Sequence, residues 1–411
     1  MDRILIVEDN QTLAKLTAKK IKDAIGCEVD IAYKLSEAKL FLKLYKYFVT
    51  ILDINLPDAP NGEIVDYTIS KGQKVIVLSS NIDKEFRNKM LKKNIIDYVN
   101  KAGMDDINYI IHTIKRLKNN QKHKILVVDD SVVFRNQMEG LLKNLFYTVY
   151  SVAHGEEALN MLQTHQDISM MITDYNMPVM DGLTLVYETR KLYNKNDLCI
   201  IALSSNNDEN INALFLKGGA NDYIKKPFSK EEFYCRIHNS IEAIENIQLI
   251  TNYANRDFLT GLYNRRYFFE HMQKYIQNNN NEKFAVVMID IDSFKSINDK
   301  YGHEVGDEAI IHLSEILSSN TNHRDLVARF GGDEFCVVLK NINRFSALDI
   351  MQRIISKVQN SPIEIQNKLL PFSVSAGISI YNEDDGFDEA INQADMMLYK
   401  AKQNGKNQVM I

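Results

Sequence analysis

Short apolar runs alternate with longer amphipathic stretches over the N-terminal part of the chain. Residues 4–7, 49–52, 75–78 and 98–99 are such runs. Their length and near-continuous apolar character suit strands buried on both faces. The stretches between them have helical spacing, so the pattern predicts βα repeats and a parallel, doubly wound sheet. In that architecture functional groups collect beyond the carboxyl ends of the strands. After Asp257 strict alternation stops. Residues 284–289 read as a strand ending in Asp290-Ile291-Asp292, and residues 277–281 (QNNNN) as a loop. Residues 325–330 and 335–339 read as two strands around Gly331-Gly332-Asp333-Glu334. Two glycines in a four-residue connection predict a β-hairpin. This part is expected to be α+β, with a mostly antiparallel sheet.

The N-terminal pattern is an internal repeat. Ile4-Leu5-Ile6-Val7-Glu8-Asp9 recurs as Ile125-Leu126-Val127-Val128-Asp129-Asp130, and Ile51-Leu52-Asp53 as Ile172-Thr173-Asp174. Both recur at an offset of 121 residues (Asp9 to Asp130, Asp53 to Asp174). Val77-Leu78-Ser79-Ser80 and Asp97-Tyr98 to Lys101 recur at an offset of 125 (Ser79 to Ser204, Lys101 to Lys226). The first copy is therefore shorter between its central Asp and its Ser. It gains a residue in the loop 57–62 and loses more near 70–73.

A long helical stretch follows the second copy, from Lys230 to Asn255. Phe233, Ile237, Ile241, Ile244 and Ile247 or Gln248 fall at gaps of four and three, a short heptad-like seam. One reading is the last helix of the repeat packed on its own sheet. The length of the stretch favours the other, a helix running on into a dimeric coiled coil. The expected boundaries are 1–120 and 121–245 for the two copies, 246–256 for a helical linker, and 257–411 for the last domain.

Composition narrows the class. The chain has 411 residues, 45% hydrophobic and 25% charged, ordinary for a soluble multidomain protein. No apolar run approaches the ~20 residues a membrane span needs, and Met1-Asp2-Arg3 is too short and too soon acidic for a signal peptide. The four cysteines, Cys27, Cys199, Cys235 and Cys336, show no metal spacing and are expected to be buried thiols in a reducing cytoplasm. A net charge of −5 does not favour nucleic acid. The basic stretch 115–124 is expected to be a solvated helix end and linker.

The repeat carries chemistry. Two acids, a separate Asp, a hydroxyl and a lysine would meet at one sheet edge. Clustered carboxylates call for a cation, and Mg²⁺ takes carboxylate and carbonyl oxygens. An Asp beside the metal can attack a phosphoryl group, whose charge the metal and the lysine neutralise. On these residues both copies resemble receiver domains of bacterial response regulators. The resemblance implies flavodoxin-like domains with parallel five-stranded sheets. In the second copy it implies Asp129 and Asp130 as metal ligands with the Asn176 carbonyl, and Asp174 as phospho-acceptor and ligand. Ser204 and Tyr223 would be switch residues, and Lys226-Pro227 the lysine with its cis-proline. The first copy matches at Glu8, Asp9, Asp53, Asn55, Ser79, Tyr98 and Lys101. It departs at Ala102, where the family has proline, which leaves the placement of Lys101 open. An adaptor role in packing or dimerisation is the alternative for this copy.

The last domain carries a second constellation. Adjacent acids at a hairpin tip need a metal or a substrate cation, and glycines leave room for a ligand. Asp257-Phe258-Leu259-Thr260-Gly261-Leu262, Asp290-Ile291-Asp292-Ser293-Phe294-Lys295, Tyr301-Gly302-His303-Glu304-Val305-Gly306-Asp307 and Gly331-Gly332-Asp333-Glu334-Phe335 occur in order. They resemble the diguanylate cyclase (GGDEF) family. The resemblance implies Mg²⁺ (or Mn²⁺) held by Asp290, the Ile291 carbonyl and Asp333. Glu334 would help activate the ribose 3′-hydroxyl, and Asn298 and Asp307 would read guanine. Phe294, Lys295, Lys402 and Lys406 would bind phosphates, the two last lysines four apart on a helix-like end. Gly331 and Gly332 would make room for substrate. The implied reaction joins two GTP into cyclic di-GMP across a homodimer, under a sensor histidine kinase or phosphotransfer protein, in the cytoplasm, without DNA or membrane. A module that binds the nucleotide without turnover, and a phosphorelay scaffold, are the alternatives. The family's Arg-x-x-Asp product site is incomplete here. Asp325 is in place, but Asn322 stands at the arginine position, so feedback inhibition is expected to be weak.

Overall fold

The computed structural model describes residues 2–79, 84–101, 104–204, 209–279, 282–365 and 368–411, in two compact units, Met1–Ile247 and Gln248–Ile411. No helix among the described residues is long and apolar enough to cross a membrane.

The first repeat runs β1 (Arg3–Val7), α1 (Gln11–Ile25), β2 (Glu28–Ala32), α2 (Leu35–Leu44), β3 (Val49–Asp53), α3 (Glu63–Ser70), β4 (Val75–Ser79), α4 (Lys84–Leu91), β5 (Asp97–Asn100) and α5 (Met104–Asn120). The second runs β6 (Lys124–Val128), α6 (Val132–Asn144), β7 (Thr148–Val152), α7 (Gly155–Thr164), β8 (Ile168–Asp174), α8 (Gly182–Leu192), β9 (Cys199–Ser204), α9 (Glu209–Gly218), β10 (Asp222–Lys225) and α10 (Lys230–Asn255). Their five-stranded sheets have equivalent orders, β2-β1-β3-β4-β5 and β7-β6-β8-β9-β10, parallel throughout. Side chains alternate across each strand. Ile4 and Ile6 enter one core and Leu5 and Val7 another, which is why the run is apolar at every position.

One of these cores is shared. Ile4, Ile51, Ile110 and Ile114 of the first repeat join Leu142, Leu145, Ile237 and Ile241 of the second in a single cluster. Phe48 stacks on Phe146 at 4.5 Å. The fully buried Asn144 donates to the Ile95 carbonyl (3.2 Å) and accepts from Lys74 Nζ (2.9 Å). Arg116 pairs with Glu245 at 2.7 Å and donates to the His238 carbonyl at 2.7 Å.

The structure departs from three expectations. Phe233, Ile237, Ile241 and Ile244 are 0–2% exposed, so the repeat pair's own core consumes the heptad-like seam, and those positions face no second chain. The helix does continue to Asn255, with Leu249, Ile250 and Tyr253 exposed. The basic stretch is not uniformly solvated, because Arg116 is half-buried against α10 and paired with Glu245. Cys27, Cys199 and Cys336 are buried, but Cys235 is exposed, because its side of α10 borders a groove between the repeats.

The second unit comprises β11 (Tyr263–Asn264), α11 (Arg265–Asn278), β12 (Phe284–Ile291), α12 (Phe294–Tyr301), α13 (His303–Asn320), β13 (Leu326–Gly331), β14 (Glu334–Lys340), α14 (Arg344–Asn360), β15 (Ile363–Ile365), β16 (Lys368–Leu370), β17 (Val374–Ile380), α15 (Phe387–Gln403) and β18 (Val409–Met410). The main sheet is ordered β11-β13-β14-β12-β17-β18. Its β13–β14, β14–β12 and β12–β17 pairings are antiparallel. Every residue of β12 is buried. Ala285, Val287, Ile289 and Ile291 face the core under α13 and α14, while Phe284, Val286 and Met288 face α11 and α15. The hairpin strands run closer to the tip than expected. They end at Gly331 and resume at Glu334, leaving a two-residue turn of Gly332 and Asp333.

Candidate functional sites

Period-two alternation decides what meets Asp290. It continues the face of Phe284, Val286 and Met288, the face that α15 covers. The antiparallel register sets Asp290 opposite Glu334 on β14 and Ser375 on β17. Gly377, two residues along β17, lets α15 lie directly on the sheet. A Cβ there would sit 2.0 Å from Leu398 N and 2.1 Å from the Ala394 carbonyl. So seated, α15 brings Lys402 Nζ to 2.7 Å from Asp290 Oδ2. Burial pushes the Asp290 carboxyl up to about 6; Lys402 opposes the shift, and Asp333 and Glu334 add to it. Three carboxylates against one lysine leave excess negative charge on oxygen donors, which fits a hard divalent cation.

Around that centre, Asn298 on α12 rests on α13 at Gly306, with its Oδ1 buried and unpartnered. Asp307 is exposed near the start of α13, one turn in from His303. Phe294 and Lys295 open α12. Lys406 is not on the helix. α15 ends at Gln403, and Gly405 and Lys406 both take positive φ. Lys406 Nζ instead donates to Ser293 Oγ at 2.8 Å, beside the Asp290 strand end. Asp325 holds its own loop. Its carboxylate accepts from Asn322 N (2.7 Å) and Lys340 N (3.0 Å).

In the first unit the acids lie at the carboxyl ends of β1, β3, β6 and β8. Glu8, Asp9 and Asp53 each place an oxygen within 4.8 Å of the others. Lys101 Nζ is 2.7 Å from both Glu8 and Asp53. Lys226 Nζ is 2.9 Å from Asp129 and 2.6 Å from Asp174, while Asp9 and Asp130 are exposed at the rim. The second acceptor oxygen receives an N–H from two residues on, Asn55 to Asp53 (3.1 Å) and Asn176 to Asp174 (3.0 Å). Ser79 and Ser204 are buried, and their carbonyls accept from Lys101 N and Lys226 N, both at 2.7 Å. Burial raises the carboxyls of Glu8 and Asp174. Burial also works against the charge of Lys101, but Asp53 and Glu8 outweigh it and hold the ammonium above the ordinary lysine value. Lys226-Pro227 is cis. Ala102 lies outside the described residues, yet Lys101 makes the contacts Lys226 makes.

Residues 4–112 and 125–238 match the response regulator receiver domain, together over half of the chain, and 254–408 match the diguanylate cyclase, GGDEF domain. A solved two-component response regulator/GGDEF domain protein is 35% identical, with a TM-score of 0.53, over 60% of this chain and all of that one. The chain belongs to the response regulators that carry a GGDEF domain. Among characterised relatives, diguanylate cyclase A of Treponema denticola is 38% identical over 41% of this chain and 47% of its own length. Response regulator PleD of Caulobacter vibrioides is 27% identical over 70% of this chain and 65% of its own length. The chain therefore spans less than two thirds of either relative.

Tyr98 is buried in the first receiver, and Tyr223 is half-buried in the second. Three supporting residues of the GGDEF domain escaped the sequence reading. Arg329 donates to the Gly332 carbonyl (3.0 and 2.8 Å) and to Asp257 (2.9 Å), tying the hairpin tip to the start of the domain. Asp292 accepts from Ser373, Ser375 and Asn407 N. Gly306 makes room for Asn298. Asp292 sits inside the Asp290–Lys295 motif and Arg329 in the strand before Gly331, but along the chain a positioning residue looks like any other charge.

Proposed function

We propose that the protein is a phosphorylation-regulated diguanylate cyclase, condensing two GTP into cyclic di-GMP and two pyrophosphates across a GGDEF dimer. The observation that carries this is the meeting of Asp290, Asp333, Glu334 and Lys402 at one strand end, with the Asn298–Gly306 contact beside it. Asp290, the Ile291 carbonyl and Asp333 would hold Mg²⁺ or Mn²⁺, which supplies Lewis-acid stabilisation of the phosphates. Lys402, Lys406 and the start of α12 bind the triphosphate. Asn298 and Asp307 offer an amide and a carboxylate to the guanine edge. Glu334 accepts the proton of the ribose 3′-hydroxyl. That oxygen bonds to the α-phosphorus of the partner's GTP while the bond to pyrophosphate breaks, and a second such step closes the ring. Each chain offers one GTP site, so a two-fold dimer is required. Leu249, Ile250 and Tyr253 are the exposed apolar positions of α10 that suit a partner helix.

Asp174 and Asp53 are both assigned as phospho-acceptors, because their lysine and backbone contacts are equivalent. The magnesium requirement extends to Glu8, Asp9, Asp129 and Asp130. Product feedback through Asp325 is weak, since its carboxylate serves the backbone and Asn322 offers no guanidinium. The test is cyclic di-GMP formation from GTP and Mg²⁺, with and without a small phosphoryl donor, on the wild type and on Asp333→Ala, Asp174→Ala and Asp53→Ala proteins. Turnover should rise faster than linearly with protein concentration and vanish in Asp333→Ala. GTP binding without turnover at any concentration would sink the proposal.

A further inference from the structure

The two receivers differ where their lysines emerge. In the second, Lys226 Nζ lies 3.7 Å from the centre of the Phe134 ring. Phe134 meets Phe228 edge-on at 6.2 Å, and Phe228 stacks on Phe233 at 5.5 Å. Three rings thus fill the space between α6, α10 and the loop after β10. The first receiver has none of them. Leu13 stands at the Phe134 position (offset 121), and Gly103 at the Phe228 position, two residues after the lysine. Aligning the buried spacing Ile107, Ile110, Ile114, Leu117 with Tyr234, Ile237, Ile241, Ile244 puts Asp106 where Phe233 stands. Gly103 lies outside the described residues, but it has no side chain to contribute.

Among the described residues, the space those rings would occupy is open. A cavity of about 280 Å³ is lined mostly by apolar side chains, Leu13, Leu16, Leu78, Ile107 and Ile110, with Thr17, Lys101 and Asp106 as its polar members. Apolar cavities stay dry and accept apolar guests, and one of ~150 Å³ takes benzene. We propose that this cavity binds a small aromatic molecule of one or two rings, in the place Phe134 fills in the second receiver, with Lys101 against its face. The fold itself supplies the template for the occupant. A lysine and an aromatic ring already make this contact in the sister domain, and cation–π attraction favours it. Lys101 also pairs Glu8 and Asp53, so occupancy is linked to the state of the first acceptor site. This inference does not depend on the cyclase reading.

The test is ¹⁹F NMR of 5-fluoroindole with the full-length protein, alongside Leu13→Phe and Ile107→Phe variants that fill the cavity from opposite walls. Both variants are checked first by thermal melting. Crystals pressurised with xenon give an independent readout. Saturable broadening of the probe, weakened at least tenfold in whichever filled variant folds, and xenon density between Leu13 and Ile110, are expected. Non-saturable broadening, equal binding by a folded filled variant, or no xenon at that position would overturn the proposal.

Discussion

Gly306→Ala is the sharpest perturbation of the nucleotide site that leaves every reacting group in place. A Cβ at 306 would lie 1.9 Å from Asn298 Oδ1, 3.0 Å from its Cγ and 3.2 Å from Phe294 Cζ. Real Cβ atoms essentially never come under 3.0 Å, so the amide must retreat by more than 1 Å. An amide displaced that far would lose the hydrogen bonds proposed for it with the base, worth about 1–3 kcal/mol. That corresponds to a roughly 5- to 150-fold loss in kcat/KM, carried mostly by KM. Stability should hardly suffer, because alanine is favoured over glycine within a helix by ~1 kcal/mol. The assay is steady-state cyclic di-GMP formation on wild type, Gly306→Ala, Asn298→Ala and the double variant, each with a Tm. The two changes act through one side chain, so the second should add almost nothing to the first. If Gly306→Ala keeps the wild-type KM, or costs as much on top of Asn298→Ala as alone, Gly306 does not work by positioning Asn298.

Other outcomes follow from the same geometry. Gly377→Ala should lift α15 from β17, costing about 1–3 kcal/mol in urea unfolding of the second unit and abolishing GTP binding as Lys402 leaves Asp290. Burial, with Arg116 and His112, lowers His238 to about 4. The unfolded chain therefore takes up the extra proton between pH ~6.5 and ~4, and the receiver pair loses stability as pH falls through that window, by on the order of 3 kcal/mol. Urea titrations at pH 7 and pH 4.5 should show this slope in the wild type and a flatter one in His238→Gln. Arg329→Ala should free the hairpin tip and lower kcat by about 10- to 100-fold without changing phosphoryl uptake by the receivers. Rescue by Arg329→Lys should fail, because the guanidinium bridges two partners.

Much of this was legible in the chain because strand period and repeat offset are local signals. Two parallel sheets followed from runs apolar at every position, and the acids followed from the ends of those runs. The merged core of the receivers was not legible. Ile237 and Ile241 are apolar at helical spacing whether a home sheet, a sister domain or a second chain covers them, and the pattern does not say which. For the same reason the seam on α10 looked like a coiled coil. Lys406 looked helical because it stands four positions after Lys402, yet Gly405 ends that register. Lys101 reaches its acids without the proline of the sister loop, so the lysine contacts survive the loss of that proline.

The proposed cyclase requires a divalent ion held between the end of β12 and the glycine hairpin, under the phosphates of a guanine nucleotide. Crystals grown with Mn²⁺ and a non-hydrolysable GTP analogue, measured at the manganese edge, test it directly. An anomalous peak touching Asp290, Asp333 and the Ile291 carbonyl, with guanine against Asn298, is the predicted result. Bound nucleotide with no manganese at those oxygens, or manganese with the base elsewhere, would contradict it.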